Sequence, residues 1–97
     1  MKEKTVTVTN EFGIHLRPAM IIVEKANEYY SEITLSKLSE KADAKSIMEV
    51  TMLKVKKNEK IKVTTEGKYE EEAMNSIVKI LSSNLDIEIR QSRDLKI

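Results

Sequence analysis

Hydrophobic and polar residues alternate near the start of the chain, and the spacing then becomes helical. In "KTVTVT", Val6 and Val8 lie on one face and threonines on the other, a pattern that predicts a half-buried strand. After "NEFG", apolar residues recur at helical spacing from Leu16 to about Glu28, and Pro18 suits the first turn of that helix. The stripe that this helix is expected to bury consists of Ala19, Ile22, Val23 and Ala26.

The second half of the chain repeats this change of period. "SEITLSKL" predicts a strand, and "EKADAKS" is polar enough for a turn and a short strand. "SIMEVTML" predicts a short helix with Ser46 as N-cap, and Glu49 follows three residues later as in a capping box. "EKIKVTTEG" predicts a further strand, and "YEEEAMNSIVKILSS" predicts a second long helix whose apolar stripe is Ala73, Ile77, Ile80 and Leu81.

The predicted order is strand, helix, strand, strand, short helix, strand, long helix. Four strands with both long helices on one face give a two-layer α+β sandwich. Residues 1–84 hold all of these elements and form the predicted domain. Residues 85–97, "LDIEIRQSRDLKI", follow as an extension in which Leu85, Ile87 and Ile89 alternate with charged residues. This pattern fits a fifth strand, within the molecule or across a dimer, and the alternative is a frayed or helical extension.

Composition excludes several classes of function. The chain has 97 residues, enough for one domain with one core, and it has no apolar run near the roughly 20 residues that span a membrane. It has no cysteine and one histidine, so we expect no metal site. With two glycines it cannot form a glycine-rich nucleotide loop, and we expect no cofactor. The net charge of +1 and the four aromatic residues argue against nucleic-acid binding, and no secretory signal is visible, so we expect a cytoplasmic location.

The stretch "GIHLRPAM" contains the only histidine and the only proline of the chain. His15 directly precedes the first helix, whose unpaired N–H groups favour anions such as phosphate, and the guanidinium of Arg17 matches phosphate oxygens. A neutral imidazole beside such groups is suited to accept a phosphoryl group. A surface or packing histidine is the plain alternative. A hydrolase or transferase with His15 as general base is a weaker one, because the sequence shows neither a nucleophile nor a substrate pocket for it.

"GIHLRPA", with "KSIMEV" about 30 residues later, resembles the HPr family, the histidine-containing phosphocarriers of the phosphoenolpyruvate-dependent sugar phosphotransferase system. The resemblance covers roughly residues 2–84 and implies an open-faced β-sandwich with a four-stranded antiparallel sheet. It also implies that His15 accepts phosphate on Nδ1 from enzyme I and passes it to the A domains of enzyme II. Arg17 is then expected to stabilise the phosphoryl group, and the backbone N–H groups of Leu16 and Arg17 to bind it.

The same resemblance implies a regulatory role for Ser46, which matches the serine phosphorylated by HPr kinase/phosphorylase. The alternative function is therefore an HPr-like regulator that acts through Ser46 and binds a catabolite-control regulator or an enzyme.

Some positions depart from the family: Glu49 and Lys54 stand where glycine is usual, Leu16 replaces the commoner alanine, and Glu24 stands where a basic residue often faces acidic partners. These departures leave His15 and Arg17 in place but bear on which partners bind.

Methionines near the histidine predict a docking surface. Met20 lies off the buried stripe of the first helix, so we expect it to be exposed close to His15. Met48 and Met52 in the short helix fit either the core or the same surface, and Ile47 is expected to join it. Flexible thioether side chains suit a surface that packs against several partners. The predicted partner-binding residues are Met20, Ile47, Met48 and Met52.

Overall fold

The computed structural model describes residues 1–83, which form four strands and three helices. The strands are β1 (Lys2–Thr7), β2 (Glu32–Lys37), β3 (Glu40–Asp43) and β4 (Lys60–Glu66), and the helices are α1 (Leu16–Ala26), α2 (Ile47–Met52) and α3 (Glu70–Ser82). The order β-α-β-β-α-β-α confirms the predicted succession of elements. The extension at residues 85–97 lies outside the described residues, so its predicted fifth strand stays a prediction.

The sheet has the order β1-β4-β2-β3 and is antiparallel throughout. Val6 pairs with Ile61, and Leu35 is opposite both Val63 and Ala42, so every strand contributes buried residues to the same face. The helices pack on that face, since α3 contacts β1 and β4 while α2 contacts β3. On the other face Thr5, Thr7, Lys60 and Lys62 are exposed to solvent and Thr64 is half-buried. The structure is the predicted two-layer α+β sandwich.

Helix α1 buries three residues of the predicted stripe completely, Ala19, Ile22 and Ala26, whereas Val23 is only half-buried and packs against the core. It ends at Ala26, two residues before the predicted end, because Asn27 caps it. The Asn27 side-chain amide donates to Val23 O at 2.8 Å and to Lys45 O at 3.2 Å. These bonds satisfy a carbonyl of the last turn and tie the end of α1 to the residue before the N-cap of α2.

Helix α3 buries a stripe that differs by one residue from the prediction. Ala73, Ile77 and Leu81 are buried, as expected from the spacing. Met74 is also buried, at 6% exposed, whereas Ile80 only packs against the edge of the core. Four residues at this spacing still make one face of the helix, and the face is rotated slightly toward Met74.

Helix α2 begins as predicted at Ser46, but the capping box is only half formed. Ser46 Oγ accepts a hydrogen bond from Glu49 N at 3.3 Å. The Glu49 carboxylate accepts from Asp43 N at 3.0 Å, and Ser46 N donates to Asp43 O at 3.0 Å instead of to Glu49. The Glu49 side chain therefore joins the end of β3 to the start of α2.

The C-terminal end of α2 is held by a lysine from the sheet. Lys37 Nζ donates to Leu53 O at 3.2 Å and to Lys54 O at 3.0 Å. A positive charge is favourable here because the C-terminal end of the helix dipole is negative. Lys37 Nζ also pairs with Glu59 Oε1 at 3.1 Å. Two groups hold the pKa of Glu59 below its ordinary value of 4.5. The larger effect on this pKa is the hydrogen bond from Lys56 N to the carboxylate, and the second is the hydrogen bond from the Lys37 ammonium.

This pKa predicts a pH-dependent contribution to stability. Because the pKa of Glu59 is lower in the folded than in the unfolded chain, Glu59 stabilises the fold above the unfolded value and loses this effect as pH falls through the folded value. We expect Glu59→Gln to lower the melting temperature modestly at pH 7. The difference from wild type should shrink as the pH is lowered below the ordinary value of 4.5. Circular dichroism melts of both proteins across the acid range measure this, and a difference that stays constant with pH contradicts it.

Candidate functional site

The segment between β1 and α1 is fixed by backbone hydrogen bonds to residues 55–59. Val8 N donates to Glu59 O at 2.9 Å and Asn58 N donates to Val8 O at 2.6 Å, so the pairing of β1 continues past its last residue. A β-turn over residues 10–13 follows, closed by Gly13 N donating to Asn10 O at 3.0 Å. These bonds bring the chain to the start of α1 along one defined path.

Gly13 makes the closest approach in this segment. Its φ is +66°, and a Cβ placed on it lies 2.1 Å from Val55 O and 2.8 Å from Lys56 Cα. The next residue, Ile14, donates its N–H to Val55 O at 2.9 Å and buries its side chain at 4% exposure. Only glycine fits this position, because any side chain collides with the carbonyl that accepts the hydrogen bond of Ile14.

His15 is the N-cap of α1, and its backbone carbonyl accepts from Ala19 N at 3.0 Å. Its side chain is exposed, as is that of Arg17. The N–H groups of Leu16 and Arg17 belong to the first turn and have no acceptor within the helix, while Pro18 has no N–H to offer. The first-turn sequence LRPA contains no carboxylate, so the positive end of the helix dipole is not neutralised there by an acidic side chain.

The structure thus brings together His15, Leu16 and Arg17, three of the predicted site residues. The exposed imidazole can act as a nucleophile toward a phosphorus atom. The same turn contributes two backbone N–H groups and a guanidinium, which can donate hydrogen bonds to the negatively charged oxygens of a phosphoryl group. The arrangement suits binding of a phosphoryl group beside the imidazole.

Phe12 is a neighbour of this site that the sequence analysis missed. Its ring centroid lies 6.3 Å from that of His15, and the two ring planes are inclined by 79°. The side chain is 72% exposed. The available signal was the position of the only phenylalanine of the chain in the turn that precedes Gly13.

An apolar groove lies beside His15 between α1 and α2. We define the apolar groove by its lining residues, Leu16, Met20, Val23, Glu24 and Ile47. Leu16 is 59% and Met20 is 53% exposed, and Ile47 is half-buried. The groove therefore joins the first turn of α1 to the first residue of α2.

Met48 and Met52 are exposed but do not line the apolar groove. They are 68% and 67% exposed, so neither fills the core, and the alternative of core packing is wrong for both. Met52 lines a separate depression with Glu40, Lys41, Glu49 and Leu53. Of the four predicted docking residues, the structure places Met20 and Ile47 in one groove and the other two elsewhere on the surface of α2.

Ser46 is half-buried at the N-cap of α2, directly before Ile47 of the apolar groove. The neighbouring Lys45 is committed elsewhere: its Nζ donates to Tyr29 O at 2.6 Å. Glu49 stands one turn beyond Ser46, with its carboxylate on Asp43 N. A phosphate on Ser46 therefore meets a carboxylate one turn away, and one N–H of the neighbouring Lys45 ammonium is already bonded to Tyr29 O.

Residues 1–83 include no helix long and apolar enough to cross a membrane. Within the same residues, no three histidine, cysteine, aspartate or glutamate side chains are grouped so that they could hold a metal ion.

Comparison with known proteins agrees with this architecture. The family model described as PTS-HPr, the PTS HPr component phosphorylation site, matches residues 2–83. The phosphocarrier protein HPr of Mycoplasma pneumoniae is 40% identical over 85 residues, which cover 87% of this chain and 97% of that protein. The HPr-like protein Crh of Halalkalibacterium halodurans is 40% identical over 78 residues, which cover 80% of this chain and 93% of that protein.

Solved structures show the same fold. The crystal structure of HPr-C-His from Thermoanaerobacter tengcongensis superposes with a TM-score of 0.80 at 38% identity, and the match covers 84% of this chain and 91% of that one. The sheet topology, the helices on one face and the histidine before α1 are thus accompanied by similarity over nearly all of residues 1–83. The chain belongs to the HPr family, the phosphocarriers of the phosphotransferase system.

Proposed function

We propose that this protein carries a phosphoryl group on His15 from enzyme I to the A domains of enzyme II during sugar uptake. The observation that carries the proposal is the exposed imidazole at the N-cap of α1, next to two first-turn N–H groups and Arg17. In the forward step, Nδ1 of His15 bonds to phosphorus as the bond from phosphorus to enzyme I breaks. In the second step, the bond to His15 breaks as the acceptor on enzyme II bonds to phosphorus.

Residues around His15 divide the work in this proposal. The N–H groups of Leu16 and Arg17 bind the phosphoryl oxygens, and the Arg17 guanidinium stabilises their charge during transfer. The protein is then a substrate of both partners and turns nothing over itself. This fits a histidine that lies open on the surface, where a partner protein can supply the rest of the active site. The relay also places the protein in the cytoplasm, where the sugar-specific domains receive phosphate.

The second candidate function is regulation through Ser46, in which a kinase phosphorylates Ser46 and a transcriptional regulator or an enzyme binds the product. Similarity to Crh proteins favours it, since a Crh of Bacillus subtilis that is 29% identical to this chain is named a catabolite repression HPr. The presence of both His15 and Arg17 favours the carrier, because regulation through Ser46 requires neither. The two functions are compatible if phosphate on Ser46 controls docking at the apolar groove.

Phosphorylation with phosphoenolpyruvate and enzyme I tests the carrier function. We expect the protein to gain one acid-labile phosphate by mass spectrometry, and His15→Ala to gain none while keeping its circular dichroism spectrum. Arg17→Lys keeps the charge but loses the planar pair of donors, so transfer should slow about tenfold, which corresponds to about 1.4 kcal/mol. A label that persists in His15→Ala refutes the proposal, and an unchanged rate for Arg17→Lys limits Arg17 to steering.

The apolar groove should bind partners more than it stabilises the fold. Met20→Ser removes apolar area that is already half exposed in the free protein, so we expect the KM for this protein in the enzyme I reaction to rise several-fold with little change in melting temperature. Leu38→Ser is the matched control, because Leu38 is 94% exposed in the β2–β3 turn and should leave KM unchanged. A loss of several degrees in the melting temperature of Met20→Ser assigns Met20 to packing instead.

A negative charge at Ser46 should hinder docking without refolding. Ser46→Asp places a carboxylate at the N-terminus of α2, beside the apolar groove, and we expect a lower rate of phosphorylation by enzyme I with an unchanged circular dichroism spectrum. Ser39→Asp, in the exposed β2–β3 turn, controls for charge alone. Ser46→Ala should keep the rate and lose about 1 kcal/mol of stability through the missing cap. Equal rates for wild type and Ser46→Asp leave Ser46 as a helix cap only.

A further inference from the structure

Lysines are concentrated in the loop between α2 and β4, next to the segment that leads to His15. We define the basic loop as residues 54–57, in which Lys54, Lys56 and Lys57 are all exposed. Within residues 1–83, the side chains of these lysines form no ion pair. The acidic residue nearest in sequence, Glu59, is already bonded to Lys37 Nζ and to Lys56 N. The basic loop therefore presents positive charges that no described carboxylate pairs with.

Hydrogen bonds hold the backbone of the basic loop. They run from Lys37 Nζ to Lys54 O at 3.0 Å and from Ile14 N to Val55 O at 2.9 Å. The Cα of Lys56 lies 2.8 Å from a Cβ placed on Gly13, two residues before His15. Because the loop is ordered before a partner binds, little backbone entropy is lost when its charges are used in docking.

Charge is distributed unevenly between the two ends of the sheet. Strand β4 begins with Lys60 beside the end of β1 and finishes with Glu66 at the far end. Helix α3 then opens at that far end with Glu70, Glu71 and Glu72. The chain as a whole has a net charge of only +1, so the basic loop reflects local placement and not a general excess of lysine. Such an asymmetry orients the protein in the field of a charged partner, with the basic loop toward negative charge.

We propose that the basic loop docks an acidic surface of enzyme I. Glu24 in the apolar groove repels acidic groups, so the acidic surface of the partner faces the basic loop and not the groove. The small net charge and the four aromatic residues of the chain favour an acidic protein over nucleic acid. The identity of the partner rests on the proposed function, whereas the basic loop itself does not.

Charge variants measured against ionic strength test the proposal. The loop variant combines Lys54→Gln, Lys56→Gln and Lys57→Gln. The matched control loses the same charge from three exposed lysines toward the far end of the sheet, through Lys2→Gln, Lys4→Gln and Lys68→Gln. We expect KM of the loop variant in the enzyme I reaction to rise between about threefold and tenfold at low salt, with kcat and melting temperature unchanged. The difference from wild type should vanish at about 1 M salt, where the screening length is about 3 Å. The control variant should keep the KM of wild type.

Three results overturn the proposal. The first is an unchanged KM in the loop variant, and the second is an equal rise of KM in the control variant or a rise that persists at about 1 M salt. The third is retention of a DNA duplex by wild type but not by the loop variant at about 0.15 M salt, which assigns the basic loop to nucleic acid.

Calorimetric titration of His15→Ala with enzyme I separates docking from transfer, because this variant has no imidazole to phosphorylate. We expect the loop substitutions to weaken this binding by the same factor as they raise KM. Binding that responds to the basic loop, without phosphorylation of wild type, refutes the proposed function and keeps the docking surface. Phosphorylation of wild type with a KM that is insensitive to the loop does the reverse. Absence of both binding and phosphorylation refutes both.

Discussion

The close approach of Gly13 to the Val55 carbonyl is the constraint on which the position of the site depends. A Cβ at residue 13 lies 2.1 Å from that oxygen, and the same oxygen accepts the N–H of Ile14. The chain can pass this point only with a glycine at positive φ, and it then enters α1 directly at His15. The buried side chain of Ile14 and the helix that begins after His15 fix the backbone that carries the imidazole. The His15 side chain is thus exposed, while the backbone before it is held by hydrogen bonds.

A second constraint holds α2, which has only six residues and is too short to be stable alone. At its start, Asn27 bonds to Lys45 O and Glu49 bonds to Asp43 N. At its end, Lys37 bonds to the carbonyls of Leu53 and Lys54. These bonds tie α2 to the C-cap of α1, to β3 and to β2. Val50 is the one residue of α2 that is buried. Its two methionines, Met48 and Met52, are exposed to solvent.

Sequence periodicity predicted the elements of the fold, and local side-chain bonds account for most of what it missed. The strands and long helices follow from the spacing of apolar residues, because that spacing decides which face is buried. Helix α1 ends two residues earlier than the spacing predicted. Asn27 caps it there, and its side-chain amide donates to Val23 O and Lys45 O. The site residues His15, Leu16 and Arg17 are neighbours in sequence, so the motif alone brought them together. Phe12 could not be found this way, because its contact depends on the geometry of the turn. Met48 and Met52 fitted core or surface equally from the sequence, and the structure places both on the surface.

The positions that depart from the family now have a physical meaning. Lys54 has φ +52°, a conformation that glycine adopts without strain and that costs other residues about 1 kcal/mol. The backbone carbonyl of Lys54 accepts a hydrogen bond from Lys37 Nζ just after the end of α2. The Glu49 carboxylate accepts a hydrogen bond from Asp43 N, which stabilises it in this position. Its negative charge still lies one turn from Ser46. Glu24 lines the apolar groove, where a carboxylate favours basic partner residues over acidic ones. The departures therefore leave His15 and Arg17 unchanged and alter the surface around them.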